Sequence, residues 1–262
     1  MRFTTRAFRV YHGGVSSRAK HTRQIGLARA LSKLGYCSRS QAREMICAGR
    51  VTLNGRTRRD PETPVHLEEY EIRVDGRPVD APAKLYLMLN KPRGVVTTAS
   101  DEKGRDTVYA YLGDELPWVA PVGRLDKASE GLLLLSNDSE WAARIVAPAT
   151  HLDKTYHVQV GTVADSGLAD SMRKGVKTDD GDFLRVKSAR ILRGGQRNTW
   201  LEVVLDEGKN RHIRRLLGQL GVEVMRLVRV AIGPLALGDL PKGSLRPLTA
   251  DEKQALDRAL ER

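Results

Sequence analysis

With 262 residues, 40% hydrophobic and 29% charged, the chain can bury the core of one large domain or of two unequal ones. No apolar run approaches the ~20 residues that cross a bilayer as a helix, so a membrane protein of that kind is excluded and a cytoplasmic one expected. The formal net charge of +12 favours polyanionic partners.

The charge is unevenly placed. Residues 1–23 carry Arg2, Arg6, Arg9, Arg18, Lys20 and Arg23 and no acid. They lack the apolar centre of a secretion signal and read as a basic, flexible tail. From Arg29 to Arg59 the basic residues face Glu44 alone. A charge run is usually a solvated face, but an excess this one-sided on one small unit points to a nucleic-acid-facing surface.

That unit spans 24–82. Leu27, Ala30, Leu31 and Leu34 recur at helical spacing, with Gly35 as the stop. Ser38-Arg39-Ser40-Gln41 is a capping box opening a second helix, whose apolar stripe is Ala42, Met45 and Ile46 and which ends at Gly49. Val51 and Leu53 alternate as in a strand before the hairpin turn Asn54-Gly55, and Ile72 and Val74 precede a second such turn, Asp75-Gly76. Arg39, Arg43 and Arg50 lie on or beside the second helix, off its stripe, where rigidly held guanidinium groups suit phosphates. Cys37 and Cys47 show neither metal-ligand spacing nor a disulfide framework and are expected to be buried thiols.

Leu31-Ser32-Lys33-Leu34-Gly35-Tyr36-Cys37-Ser38-Arg39, followed by Ala48-Gly49-Arg50-Val51-Thr52-Leu53-Asn54-Gly55, resembles the S4-type RNA-binding module. The resemblance implies a class of ligand and no particular reaction.

A short linker at 80–83 leads into a larger domain, 83–249. Strand-like runs lie at 85–89, 132–135, 156–160, 201–205 and 224–230, and helical stretches at 140–146 and 166–174. Many strands with few interleaved helices predict an α+β domain with a mixed, mainly antiparallel sheet. Ile213, Leu216, Leu217 and Leu220 form a further helical stripe stopped by Gly221, with Arg211, Arg214 and Arg215 off it. Thr249-Ala250-Asp251-Glu252 is a capping box for a last helix, within 250–262.

The segment from Gly123 to Asp138 places Arg124, Asp126, Lys127 and Glu130 in a polar loop before four consecutive leucines. A polar loop feeding a buried strand is how scaffolds present catalytic groups, and an ordinary salt-bridged turn fits the same spacing. Gly123-Arg124-Leu125-Asp126, Ser129, Gly131-Leu132-Leu133-Leu134-Leu135 and Asn137-Asp138 closely resemble the signature of the RsuA-type ribosomal RNA pseudouridine synthases. Ser129 and Ser136 stand where that family usually has threonine. Leu89-Asn90-Lys91-Pro92-Arg93-Gly94, Lys154-Thr155-Tyr156 and the run from Glu207 to Leu216 agree, so the resemblance covers about 25–248.

The resemblance implies isomerisation of a uridine in ribosomal RNA to pseudouridine. Asp126 would be the catalytic carboxylate, Tyr156 would stack on the flipped base, and Arg214 would pair with the carboxylate. Arg124 would insert into the RNA, and Lys91, Arg93 and Lys209 would contact phosphate. A desolvated aspartate needs a nearby cation to stay ionised. The sequence shows no metal-ligand cluster, nucleotide-binding glycine loop or activated cysteine, so no cofactor or metal is expected. The expected partner is ribosomal RNA or a ribosomal-subunit precursor, met by a monomer. Residues 100–105 incline the target to the large (23S) rather than the small subunit. The competing reading is a catalytically inactive rRNA-binding assembly factor, against which the intact Asp126, Tyr156 and Arg214 speak.

Overall fold

The computed structural model describes residues 24–261 except Glu68, Ala81, Ser100, Glu102 and Asp114. The tail expected at 1–23 lies outside the described residues, and the stretches 80–83 and 100–105 are described in part. Two compact units are present. The first runs to Leu85 and takes in Glu115–Ala120 and Ser136–Ser139; the second holds the rest.

In the first unit, α1 (Leu27–Lys33) and α2 (Arg39–Cys47) pack on a four-stranded sheet of β1 (Val51–Leu53), β2 (Arg56–Arg58), β3 (Ile72–Val74) and β4 (Arg77–Pro78), in the order β2-β1-β3-β4. The capping box at Ser38 is formed: Gln41 N–H donates to Ser38 Oγ at 3.2 Å and Ser38 N–H to Gln41 Oε1 at 3.0 Å. Asn54 and Gly55 both take positive φ, +48° and +76°, the mirror-image turn whose twist matches paired strands. Leu27, Leu31, Ala42, Ile46 and Val51 fill the core. Cys37 is buried, which pushes its thiol up to about 11. Cys47, expected to be buried, is exposed. It follows Ile46 by one residue, about 100° around the helix, and so turns off the stripe that Ala42 and Ile46 bury.

The second unit is built on a mixed sheet. Its strands are β5 (Tyr86–Lys91), β6 (Glu130–Ser136), β7 (Lys154–Val160), β8 (Ser188–Gly194), β9 (Thr199–Leu205), β10 (Val224–Ile232) and β11 (Leu245–Pro247), in the order β8-β9-β7-β10-β6-β5-β11. Pairings β8–β9, β9–β7, β7–β10 and β5–β11 are antiparallel, and β10–β6 is parallel. The expected α+β class is therefore what the chain forms. β6 is buried along its whole length, with Leu132 to Leu135 fully inaccessible. Each such leucine contributes roughly 1.5–3 kcal/mol over an exposed one. Burial on both faces explains a continuous apolar run instead of alternation.

On one face α4 (Ser166–Lys174) and α5 (His212–Gln219) cover Val158, Leu201, Val203 and Leu205, with Met172, Ile213, Leu216 and Leu217 as their contribution. A second cluster joins Met88, Leu132 and Leu134 to Trp141 and Ile145 of α3 (Ser139–Val146) and Leu256 of α6 (Ala250–Ala259). Trp141 Nε1 donates to Asp257 Oδ1 at 3.0 Å, tying α3 to α6. The capping box at Thr249 is formed with Glu252. Strands β8 and β11 were not legible in sequence. β8 is an edge strand whose register shifts between Ile191 and Arg193, so its side chains do not alternate cleanly. Among the described residues no helix is long and apolar enough to cross a membrane.

Candidate active site

The segment joining Val122 to β6 is fixed almost entirely through its backbone. Leu125 is buried; its carbonyl accepts from Thr97 Oγ1 at 2.8 Å, and its N–H donates back to the same oxygen at 3.3 Å. Gly94 N–H donates to Lys127 O at 2.8 Å, and Ser129 N–H closes a turn on Asp126 O at 3.0 Å. The Lys91 ammonium then donates to Pro92 O, Asp126 O and Ser129 O at 3.1, 3.2 and 2.8 Å. The Asp126 side chain is half-buried. Among the described residues it is engaged by no hydrogen bond or ion pair, so the backbone around it is held while the carboxylate is left available.

This arrangement corrects the expectation for Lys91. The side chain is fully buried and its three donors face three carbonyls, so it reaches no phosphate. Burial lowers its pKa to about 8, against the opposing pull of Asp126 and Glu130. Lysine suits the position because a single ammonium can donate in three directions.

Register aligns Tyr156 with the start of β6. Gly131, at the start of β6, pairs with Arg229 of β10, and Arg229 pairs with Tyr156 of β7. The three form one row across adjacent strands. Gly131 has φ +101°, and a Cβ there would lie 2.3 Å from Arg229 O, so only glycine lets these strands approach. Tyr156 is half-buried and leans on the cluster that contains Ile213 and Leu216 of α5. Arg229 itself is buried, its Nε donating to Leu132 O at 2.7 Å.

Helix α5 delivers Arg214. Its apolar stripe anchors it to the sheet, as the spacing predicts. Arg214 Nη2 donates to Ala128 O at 3.0 Å and Nη1 to Val224 O at 3.1 Å. The guanidinium thus grips the loop two residues beyond Asp126 instead of forming the expected direct ion pair; among the described residues no pair within 4.0 Å joins the two. Burial disfavours the charge on Arg214, as do Arg211 and Arg93, while Asp126 favours it. Arg215 turns away and clamps Asp180 and Asp182 at 2.5 and 2.9 Å. Arg211, at the helix N-cap with φ +49°, is exposed. His212 is buried, with Nε2 2.9 Å from Arg185 O, and burial lowers its pKa.

Arg93 and Arg124 are exposed. Lys209, also exposed, donates to Phe183 O at 3.0 Å. In the first unit Arg39 is exposed, Arg43 meets Glu62 at 3.3 Å, and Arg50 makes a two-pronged bond to Asp75 at 2.5–3.2 Å. Tyr36, Gln41, Met45, Arg50, Leu116 and Trp118 line a surface depression on this unit. In the second unit, the depression lined by Thr150, His151, Asp153, Gly233 and Arg258 takes in none of Asp126, Tyr156 or Arg214. Sequence reading did not single out Thr97, Glu130, Arg226, Arg229 or Lys242. Glu130 stood in the polar loop, but its partners lie about 100 residues downstream and leave no local signal. Among the described residues, no His, Cys, Asp and Glu side chains group as a metal site.

Residues 85–219 match the family model for RNA pseudouridylate synthase, and residues 25–72 match that for the S4 domain. The chain is 38% identical over 238 residues to an uncharacterized RNA pseudouridine synthase of Aquifex aeolicus, spanning 90% of this chain and 95% of that one. It is 37% identical over 246 residues to one of Mycobacterium tuberculosis strain H37Rv, spanning 92% and 96%. A crystal structure of a pseudouridylate synthase superposes with a TM-score of 0.62 at 28% identity, covering 88% of this chain and 99% of the other.

Proposed function

The chain belongs to the RNA pseudouridylate synthase family, and on that premise we propose that it isomerises one uridine of ribosomal RNA, of the large subunit before the small, with Asp126 as the catalytic carboxylate. The reaction breaks the bond from N1 of uracil to C1′ of ribose and turns the base. It then joins C5 to C1′, releasing the C5 proton and returning one to N1. Asp126 serves as nucleophile or base in that sequence. The observation that carries this reading is a carboxylate with no side-chain partner among the described residues, on a loop pinned by Lys91, Thr97, Gly94 and Arg214. Rigid placement without a competing partner is what a reacting group needs.

The remaining residues support extrusion of the target nucleotide. Unstacking it costs a few kcal/mol. Stacking on Tyr156 offsets ~1–3 kcal/mol of that. Arg124, Arg93 and Lys209 offer exposed cations to the RNA around it, and Arg39, Arg43 and Arg50 offer theirs on the S4 domain. When RNA displaces water, Arg214 keeps its grip on the loop two residues beyond Asp126. The enzyme acts as a monomer in the cytoplasm, on rRNA or a subunit precursor.

Mapping pseudouridine in rRNA from cells with and without the gene tests this. The expected result is one site lost from 23S rRNA, restored by incubating that rRNA with the purified protein. An unchanged map in both subunits would favour the alternative of an inactive assembly factor.

A further inference from the structure

Helices α4 and α5 cover one face of β7, β9 and β10, the face that holds Tyr156, Val158, Leu201, Val203 and Leu227. The residues between these point to the reverse face. Burial along β9 alternates strictly: Thr199, Leu201, Val203 and Leu205 are buried, while Trp200, Glu202 and Val204 are half-buried. Register extends the reverse face across the sheet. Trp200 pairs with Gln159 of β7, and Gln159 pairs with Arg226 of β10. Val228, two residues along β10, pairs with Glu130 of β6.

On the other side of Trp200 lies β8, whose register shifts between Ile191 and Arg193, so that Arg190 pairs with Glu202 and Arg193 with Trp200. In an unbroken strand two residues three apart point to opposite faces; the shift turns Arg190 and Arg193 to the same one. The guanidinium carbon of Arg193 lies 5.3 Å from the centre of the Trp200 ring, and that of Arg226 lies 5.6 Å from it. Stacking on an aromatic ring orders a guanidinium without using its N–H donors. Arg193 is exposed, and among the described residues it makes no hydrogen bond or ion pair.

The reverse face is basic beyond this stack. Arg190 meets Glu202 at 2.6 Å. Glu130, with 3% of its side chain exposed, meets Arg226 Nε at 3.0 Å and Lys242 Nζ at 2.6 Å. Glu202 and Glu130 are the acids that strands β6 to β10 contain, and both are already held by cations. Four cations against two committed carboxylates fit a polyanion, and a planar guanidinium with free edges grips phosphate in two places. We propose that the reverse face of the sheet is an RNA-backbone site: Trp200 holds the Arg193 and Arg226 guanidinium groups, and these, with Arg190 and Lys242, bind phosphates of the substrate RNA away from the nucleotide that meets Asp126. The inference rests on reading RNA as the substrate and does not depend on which residue reacts.

The test uses the full chain with 23S and 16S rRNA transcripts and measures affinity against KCl concentration. Arg193→Gln is expected to weaken binding about 5- to 10-fold at ~0.1 M salt and to lower the salt slope by about one. Trp200→Leu removes no charge, yet it is expected to lose about fivefold, because the arginines lose the ring that orders them. Trp200→Phe is expected to recover most of that loss. Bound transcript is also expected to shield Arg193 from phenylglyoxal, read by mass spectrometry of the digested protein. Wild-type affinity and slope in Arg193→Gln, or equal modification of Arg193 with and without RNA, overturn the proposal and leave the face to an acidic protein. A loss in Arg193→Gln with none in Trp200→Leu overturns the part given to Trp200. If Trp200→Leu does not fold, Arg193→Gln and the shielding of Arg193 decide, because that side chain is exposed and without a polar partner among the described residues. Wild-type protein that binds neither transcript would discard RNA as the substrate, a failure distinct from tight binding that leaves Arg193 unshielded.

Discussion

The two units use basic side chains in opposite ways. On the S4 domain, Arg43 and Arg50 are exposed and paired with single carboxylates. In the synthase domain, Lys91 and Arg214 are withdrawn from solvent and aimed at backbone carbonyls around Asp126. Exposed pairs contribute roughly 0–1 kcal/mol and exchange readily for a phosphate. A buried cation cannot exchange; it fixes the chain wherever its donors point. The first arrangement suits docking on a polyanion, the second suits holding one carboxylate still.

Lys91→Met should have the largest effect on that contrast. It leaves three carbonyls without their donor, each unmade buried bond costing about 1–3 kcal/mol. Turnover is expected to fall on the order of 100-fold through misplacement of Asp126. Denaturation and tritium-release assays read the two effects; wild-type turnover would place Lys91 with the exposed group after all. The pH behaviour sharpens the same point. Lys91 titrates near 8 in the folded chain, below its ordinary 10.5. The unfolded chain therefore holds the extra proton between those values, and this group's contribution to stability rises with pH across that window. Activity should fall over the same window as the ammonium is lost. Opposite slopes of stability and kcat above pH 8 are the signature, and parallel slopes would contradict it.

Arg214→Gln should come next. It is expected to lower kcat by roughly 10- to 100-fold with a smaller change in KM, because the guanidinium holds the loop that carries Asp126. A change confined to KM would reassign Arg214 to RNA binding. Gly131→Ala should destabilise the fold by several kcal/mol, since its Cβ would meet the Arg229 backbone at 2.3 Å. A wild-type Tm would mean that the Tyr156–Arg229–Gly131 row has room for a Cβ at Gly131. Arg50→Ala should do least. Stability is expected to stay near wild type, and the salt dependence of RNA binding to weaken by about one counterion. A loss of kcat there would erase the contrast between the units.

Much of this was legible in the residues. Helices α1, α2 and α5, the two capping boxes, the Asn54-Gly55 turn and the buried strand at 132–135 follow from local periodicity and turn chemistry. Asp126, Tyr156 and Arg214 came from a family resemblance, because a polar loop before a buried strand also fits an ordinary turn. What stayed hidden depends on distant partners. A lysine in Asn90-Lys91-Pro92-Arg93 reads as a surface cation until the fold shows Asp126 O and Ser129 O, 35 and 38 residues on, closing over it. Glu130 is likewise silent until Arg226 and Lys242 meet it. The register shift in β8 hid that strand, and the Arg214–Asp126 contact, expected as a direct pair, runs instead through the carbonyl of Ala128.

The central claim is that Asp126 does the chemistry while its surroundings only hold it. The most direct test is Asp126→Asn, assayed for tritium release from 5-tritiated rRNA transcripts and for binding to the same RNA. The account predicts a loss of turnover of at least about 1,000-fold, with affinity within about threefold of wild type. Turnover close to wild type at unchanged affinity would contradict it.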